Sequence, residues 1–444
     1  MSFSPNLNVP RLKLEPGAGR AEEILERLHL LYPKLIDLSL TRVQRLLDAL
    51  GHPERHLPPV IHVAGTNGKG STCAFLRAIG EALGWRVHVT TSPHLVRLVE
   101  RFRVAGSLVS EDALFAVLSE IETINAGAAI TVFEVLAAAG FTLFARTPAD
   151  LCVVEVGLGG RFDATNVVDR PACAVVASIS MDHREFLGTT LTQIAREKAG
   201  VFKKDCPAVT VRHDDDVLAV LRDEALSVGA DLWERGRDWD VSQESNFLRY
   251  RDRLGELTLP QPSLFGTHQI ENAGLAVAAL RASGLSVLQS GFSGIAKAVW
   301  PARMQKLHGK LAQSLPPGFD LFLDGGHNEG AGHALAASVV AWREDKRPLY
   351  FLVGMKQSKD AAGFLTPLLP LADKIFAVRE PGQHLAATIE DIIAASRGVA
   401  LRGPDTAGAL LQVETLPPGR VVICGSLYLA GEVLKADQAE LEMV

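Results

Sequence analysis

The stretch "HVAGTNGKGSTCAFLRAIGEAL", residues 62–83, places one lysine among three glycines, between a strand-like run and a helix-like run. Glycines let successive backbone N–H groups turn toward one point. A helix start adds about half a positive charge, and Lys69 adds a full one. All three favour a bound phosphate. The pattern departs from G-x-x-x-x-G-K-[ST]: Val63 stands five places before Gly68, and Gly70 separates Lys69 from Ser71. On spacing alone, an ordinary glycine turn stays open. A lysine between a strand and a helix start favours phosphate. Ser71 and Thr72 are candidate helix caps.

Other polar groups stand where apolar runs end. "RVHVTT" leads into Ser92-Pro93-His94, "DLCVVEV" carries Glu155 near its end, and "CAVVASIS" leads into Met181-Asp182-His183. In an open parallel sheet, ligands bind beyond the carboxyl ends of the strands. If these strands are neighbours, a hydroxyl, a carboxylate and an imidazole converge beside the phosphate site. That set suits Mg²⁺, which takes few protein ligands and completes its shell with water and phosphate oxygens. "EVGLGGRFDATN" adds Gly157, Gly159, Gly160, Arg161 and Asp163. It is not a dinucleotide fingerprint, because Phe162 stands at the third glycine position. Taken singly, Lys198 is a favourable helix-end charge, His183 a structural histidine, and Asp324 and His327 of "DGGHN" turn residues. The weight lies in their joint placement.

These groups need a scaffold of alternating strands and helices. Residues 1–20 read as a flexible arm, and residues 21–51 as one or two amphipathic helices. "PVIHVAG", "RVHVTT", "DLCVVEVG", "CAVVASIS" and "CPAVTV" read as strands, several continuously apolar as in a sheet covered on both sides. Helices are expected from Ser71 to Leu83, over the apolar "TVFEVLAAAGFTLFAR", from a capping box at Thr190–Gln193 to Gly200, and over "HQIENAGLAVAALRASG". Residues 231–262 suggest a small β excursion. Beyond "VWPARMQ" the pattern restarts with "DLFLDGG", "LYFLVG", "KIFAVRE" and "VVICGS". The expected fold is α/β, with two doubly wound domains: a P-loop ATPase-like domain over 21–300 and a smaller Rossmann-like domain over 301–444.

The bulk numbers set boundaries. The chain has 444 residues, 47% hydrophobic and 22% charged, with a net charge of −6. No basic stripe marks a nucleic-acid surface. Five scattered cysteines without a C-x-x-C pair read as reduced, buried thiols of a cytoplasmic protein. No apolar run is long enough to span a membrane, and the first residues lack a signal-peptide core.

As a set, "IDLSLTRV", "HVAGTNGKGST", "TSPHLVRLVERFRV", "TVFE", "EVGLGGRFDATN", "SMDHREFLGTTLTQIAREKAGVFK", "GTHQIENAGLA", "PARMQ", "DGGHN" and "GSLYLAGEV" resemble the folylpolyglutamate synthase/dihydrofolate synthase family of the Mur ligase superfamily. The resemblance implies an ATP-dependent ligase that joins L-glutamate to a pterin or folate carboxylate through an acyl phosphate. By position, Thr66, Asn67, Gly68 and Lys69 would cradle the ATP phosphates, with Gly70 and Ser71 completing the loop. Asn272, Arg303 and Asp324 match ATP-contacting positions, and Ser92, Glu155 and His183 match Mg²⁺ ligands. Lys198 matches a carbamylated lysine that can orient a second Mg²⁺. Lys69, His183 and Lys198 form the implied catalytic set. Ile36, Asp37 and Leu38, then Thr131, Val132, Phe133 and Glu134, then Phe162, match pterin contacts of bifunctional bacterial members. The substrates implied are ATP, L-glutamate and dihydropteroate or a reduced folate, acted on by a monomer with both activities.

Two departures stand out. Family members usually have proline after D-G-A-H-N, where this chain has Gly326 and then Glu329. "PARMQ" replaces the commoner P-G-R-F. The alternatives weighed are one activity only, a cell-wall Mur ligase acting on a UDP-sugar, and a nucleotide-binding regulatory homologue. The short segment before residue 60 leaves no room for the extra domain of the second. Intact Lys69, Ser92, Glu155, His183 and Lys198 speak against the third.

Overall fold

The computed structural model describes residues 19–437 except Leu35 and His384. The expected arm therefore lies almost wholly outside the described residues. Arg20, placed in that arm, instead opens the Arg20–Leu31 helix. The helical stretch before residue 51 is two helices, Arg20–Leu31 and Thr41–Ala49, separated by a coil.

The first sheet is eight-stranded: β1 (Val60–Ala64), β2 (Val87–Thr90), β3 (Phe102–Val104), β4 (Ser107–Leu108), β5 (Leu151–Glu155), β6 (Cys173–Val176), β7 (Pro207–Thr210) and β8 (Asp231–Glu234), in the order β4-β3-β2-β5-β1-β6-β7-β8. β2, β5, β1, β6, β7 and β8 pair in parallel, and β3 and β4 add an antiparallel edge. β1 is buried at every residue and divides its side chains by period two. Ile61 and Val63 pack with Phe75, Ile79 and Ala276 on one face. On the other face Val60 packs with Val135 and Phe141, and Ala64 with Ala195 and Val201. Helices therefore cover both faces, which accounts for the unbroken apolar runs. The 231–262 excursion resolves into β8, which extends this sheet, and a three-stranded antiparallel sheet of β9 (Trp239–Gln243), β10 (Leu248–Asp252) and β11 (Gly255–Leu259).

The second sheet joins β12 (Gln305–Lys306), β13 (Asp320–Leu323), β14 (Leu349–Val353), β15 (Lys374–Ala377), β16 (Leu401–Arg402) and β17 (Arg420–Cys424) in the order β12-β13-β17-β14-β15-β16. All its pairings are parallel except β12 with β13. Leu321, Leu323, Tyr350 and Leu352 pack toward one helical layer, and Phe351, Val353 and Cys424 toward the other. The chain is thus α/β with two largely parallel, doubly covered sheets.

Candidate active site

β1 lies between β5 and β6, so the connections from its neighbours leave in opposite directions and open a crevice at its carboxyl end. The loop after β1 fills that crevice and runs into the Lys69–Ala82 helix. Gly68 is the helix N-cap at φ 84, the left-handed region that favours glycine. Ser71 and Thr72 are not caps: both lie inside the helix, and the Thr72 hydroxyl donates to Gly68 O at 2.9 Å. The helix starts two residues before the expected Ser71 because Gly68 supplies the turn.

The loop is anchored from one side. Thr66 N and Asn67 N both donate to Ser178 O, at 2.7 and 3.3 Å, and the Thr66 hydroxyl bonds Ser180 O and Ser180 N. Among the described residues, no backbone acceptor takes the N–H groups of Gly68, Lys69, Gly70 or Ser71. Those four donors are the orphans of a helix's first turn, available to an anion. Lys69 Nζ rests 3.2 Å from Thr66 O, at the same spot.

One cavity of about 310 Å³ is lined by Thr66, Asn67, Gly68, Lys69, Gly70, Ser71, Ser92, Glu155, His183, Lys198, Asn272, Arg303 and Asp324. The structure therefore brings together every residue expected at the phosphate, metal and nucleotide positions. It lies between the sheets. β1, β5 and β13 deliver the phosphate loop, Glu155 and Asp324 from their carboxyl ends, and Lys356 and Ser426 stand just past β14 and β17.

Glu155 ends β5, and its Oε2 accepts from Ser92 N at 3.0 Å. Burial pushes its carboxyl upward while Lys69, Arg303 and Arg101 pull it back. A buried carboxylate beside a hydroxyl is a place where a cation relieves a desolvation cost. His183 caps a short helix at φ 50, and burial and Lys359 lower its imidazole to about 4, so it is neutral at pH 7, as a metal ligand must be. Its Nε2, however, faces Lys359 Nζ at 3.4 Å. Ser92, Glu155 and His183 line the same cavity, Ser92 and Glu155 already joined through the Ser92 N–H, and Lys359 Nζ stands against the His183 ring nitrogen that a cation would take. Among the described residues, no group of three or more His, Cys, Asp or Glu is gathered to hold a metal, so a cation here relies on the mixed hydroxyl, carboxylate and imidazole set.

Lys198 sits in the last turn of the Leu191–Ala199 helix, only 3% exposed, and its Nζ donates to Gly65 O at 2.9 Å. Burial, with help from Lys69, lowers its ammonium to about 7. The glycine loop after β5 fixes this helix end. Arg161 N donates to Glu197 O at 2.8 Å, and a Cβ on Gly160 would lie 2.7 Å from Lys198 O. Asp163 and Arg161 do not pair with each other. Asp163 accepts from Leu158 N and Thr165 N inside the loop, and Arg161 reaches Glu224 at 2.6 Å.

The second sheet adds groups that sequence spacing missed. Asn328 exchanges amide hydrogen bonds with Asn67, both 3.0 Å, and donates to Asp182 Oδ2 at 3.0 Å. Lys359 Nζ pairs with Asp182 Oδ1 at 2.5 Å. Burial would raise the Asp182 carboxyl, but Lys359, His183 and His327 hold it well below the usual range. Lys356, His268, His327 and Tyr428 complete the wall. A lysine after an apolar strand gives no signal of its own until the two sheets face each other. Asp324 is held by Met304 N at 3.0 Å and Gly326 N at 2.8 Å, so its carboxylate shapes the two loops beside the cavity.

Both sequence departures have a local account. Glu329 is the first residue of the Glu329–Val339 helix behind the Asn328 cap, a position that suits an acid as well as a proline. A Cβ on Gly326 would lie 2.8 Å from Asp324 Oδ1, so glycine fits the turn as built here. Ala302 of "PARMQ" keeps a glycine-like φ of 54.

The residues expected at a pterin do not line this cavity. Phe133 lines a separate, small cavity with Ser92 and Glu155. Its ring packs on Gly157, where a Cβ would lie 2.3 Å from Cζ. Thr131 and Glu134 form a capping box at the start of the Val132–Ala145 helix. Phe162 is 45% exposed. Ile36, Asp37 and Leu38 lie in the coil between the first two helices.

Residues 63–280 match the Mur ligase middle domain. The chain is 36% identical over 418 residues to the dihydrofolate synthase/folylpolyglutamate synthase of Escherichia coli, covering 94% of each chain. It is 34% identical to the protein of the same description from Mycobacterium tuberculosis, over 86% of this chain and 83% of that one. Among solved structures, it resembles E. coli FolC in complex with DHPP and ADP, with a TM-score of 0.86 and 34% identity, over 96% of this chain and all of that one. It also resembles the bifunctional enzyme of Yersinia pestis complexed with AMPPNP and Mn ion, with a TM-score of 0.84 and 32% identity, over 96% and 99% of the two chains.

Proposed function

The chain belongs to the dihydrofolate synthase/folylpolyglutamate synthase family of Mur-type ligases, and we propose that it joins L-glutamate to a pterin or folate carboxylate at the expense of ATP, with both activities of the family. The observation that carries this reading is the cavity between the two sheets that Lys69, Glu155, Lys198, Arg303 and Asp324 line together. We assign residues 21–300 to the ATP-binding domain and 301–444 to the ligase domain that closes over it.

A carboxylate is unreactive toward amines at neutral pH, so it must first be activated. Its oxygen attacks the γ-phosphorus of ATP, the bond to the β-phosphate oxygen breaks, and ADP leaves an acyl phosphate. The glutamate amine then attacks the acyl carbon, loses a proton, and phosphate departs. Lys69 and the free N–H groups of residues 68–71 bind the phosphates and offset the charge on the transferring group. Asn272, Arg303 and Asp324 hold the remainder of the nucleotide. Ser92, Glu155 and His183 would hold Mg²⁺, which supplies Lewis-acid charge neutralisation when bound. Lys198, as a carbamate, adds a second anion beside Lys69. Enclosure between the sheets keeps water from the acyl phosphate. Ile36, Asp37, Leu38, Thr131, Val132, Phe133, Glu134 and Phe162 bind the pterin.

Five buried free cysteines support a reducing, cytoplasmic setting. Among the described residues no helix is long and apolar enough to cross a membrane. The test is a mass-resolved assay of ATP and L-glutamate with dihydropteroate or with a reduced folate monoglutamate. Product from both substrates is expected. Product from one alone defeats the bifunctional claim, and nucleotide binding without turnover defeats the ligase claim.

A further inference from the structure

Residues 33, 34 and 36–39 form a coil in which, among the described residues, no backbone–backbone hydrogen bond is made. Yet this coil carries three residues assigned above to the pterin. Among the described residues, the side chain that reaches from it to the Val132–Ala145 helix is Arg42. Arg42, in the first turn of the Thr41–Ala49 helix, is 17% exposed. Its Nη1 donates to Asp37 Oδ2 at 2.9 Å, and its Nη2 to Asp37 O at 2.9 Å. Its Nε donates to Glu134 Oε2 at 3.1 Å, and Nη2 stands 2.9 Å from Glu134 Oε1. The guanidinium lies over the Tyr32 ring at 4.9 Å, and Tyr32 in turn donates its hydroxyl to Asp37 at 2.6 Å.

Glu134 is the other half of the clamp. It is 3% exposed and also accepts from Thr131 N at 2.7 Å, closing the capping box of the helix that bears Phe133. One planar fork therefore joins a coil with no ladder of its own to a buried helix start. Only arginine has the donors and the geometry for this; lysine presents a point charge.

We propose that Arg42 is a positioning residue for the pterin site: it holds the 36–38 coil in register with the 131–134 helix start, and so sets the shape of the pocket between them. This rests on the assignment of those two segments to the pterin. It predicts a selective effect. Arg42→Ala frees the coil and raises KM for dihydropteroate on the order of tenfold, the size expected when charge-assisted hydrogen bonds are lost. KM for ATP and kcat at saturating pterin stay within about threefold, since Lys69 and its loop are anchored through Ser178 and Ser180 instead.

The experiment compares Arg42→Ala, Arg42→Lys, Leu38→Ala, Phe133→Ala and Arg27→Ala in steady-state kinetics with each substrate varied. Arg27 forms a bidentate pair with Glu122 in the same helical layer, away from the coil, so its loss reports general loosening. The expected result is a raised pterin KM for both Arg42 variants, smaller for lysine, with Arg27→Ala unchanged. Should Arg42→Ala not fold, Arg42→Lys decides. A lysine variant with wild-type pterin KM overturns the proposal, as does a rise shared equally by ATP and pterin. If Leu38→Ala and Phe133→Ala leave pterin KM unchanged, the pocket assignment itself fails and the role of Arg42 falls with it. If they raise KM while the Arg42 variants do not, the pocket stands and only the positioning role is lost.

Discussion

Carbamylation of a lysine needs the neutral amine, which attacks CO₂ and releases a proton. An ordinary lysine, with a pKa near 10.4, is neutral in roughly 4 molecules in 10,000 at pH 7. Burial and Lys69 bring Lys198 to about 7, so about half its amines are neutral there. The enclosed site thus enriches the reactive form on the order of a thousandfold. At pH 6 about one amine in ten remains neutral, and at pH 8 about nine in ten. Activity measured after equilibration with bicarbonate should therefore rise between pH 6 and 8, and CO₂-depleted buffer should lower it most at the acid end. Enzyme equilibrated with ¹³C-bicarbonate should give a carbamate resonance in ¹³C NMR that is absent from Lys198→Ala. That variant should be inactive and partly restored by a short carboxylic acid, which can replace the missing anion. A bicarbonate-independent enzyme without the resonance, or full unassisted activity of Lys198→Ala, would refute the reasoning. Stability gives an independent check of the same burial. Because the folded pKa lies below the unfolded one, the unfolded chain holds a proton that the folded chain has lost between about pH 7 and 10.5. Stability of the unmodified protein should rise with pH across that window, by at most about 1.4 kcal/mol per pH unit from this group.

Lys69→Ala should reduce kcat by about a thousandfold or more, since it removes the one full charge at the phosphate loop; near-normal turnover in the three-substrate assay would remove the phosphate assignment. Gly160→Ala should cost about 1–3 kcal/mol, because its Cβ would meet the Glu197 and Lys198 carbonyls at 2.6 and 2.7 Å, and denaturant titration measures this. Ala302→Gly should stabilise by about 1 kcal/mol, because the alanine occupies a left-handed φ of 54; a lowered thermal midpoint would show that the entropy glycine gives the unfolded chain outweighs the strain.

What could be read from the sequence was whatever is local or recurs along the chain. β5 and β6 declared themselves as continuous apolar runs because helices cover both their faces, and the polar residue after each run therefore pointed at the crevice. The Thr190–Gln193 capping box was legible for the same reason: both partners lie within one turn. Helix starts were less so. Ser71 and Thr72 have cap chemistry, but the left-handed turn at Gly68 begins the helix earlier, and a backbone angle outweighed side-chain preference. The contacts between the sheets were beyond reach. Asn67 with Asn328 and Asp182 with Lys359 join residues 261 and 177 positions apart, and neither pair leaves a trace in local periodicity. These are also the contacts that couple the phosphate loop to the second sheet. Asn328 bonds Asn67 and Asp182 at once, while Asp182 neighbours the metal candidate His183 and holds Lys359 against it. Under the proposed metal assignment, a divalent cation on His183 would stand beside Asp182, the one carboxylate that also carries the Asn328 and Lys359 contacts between the sheets.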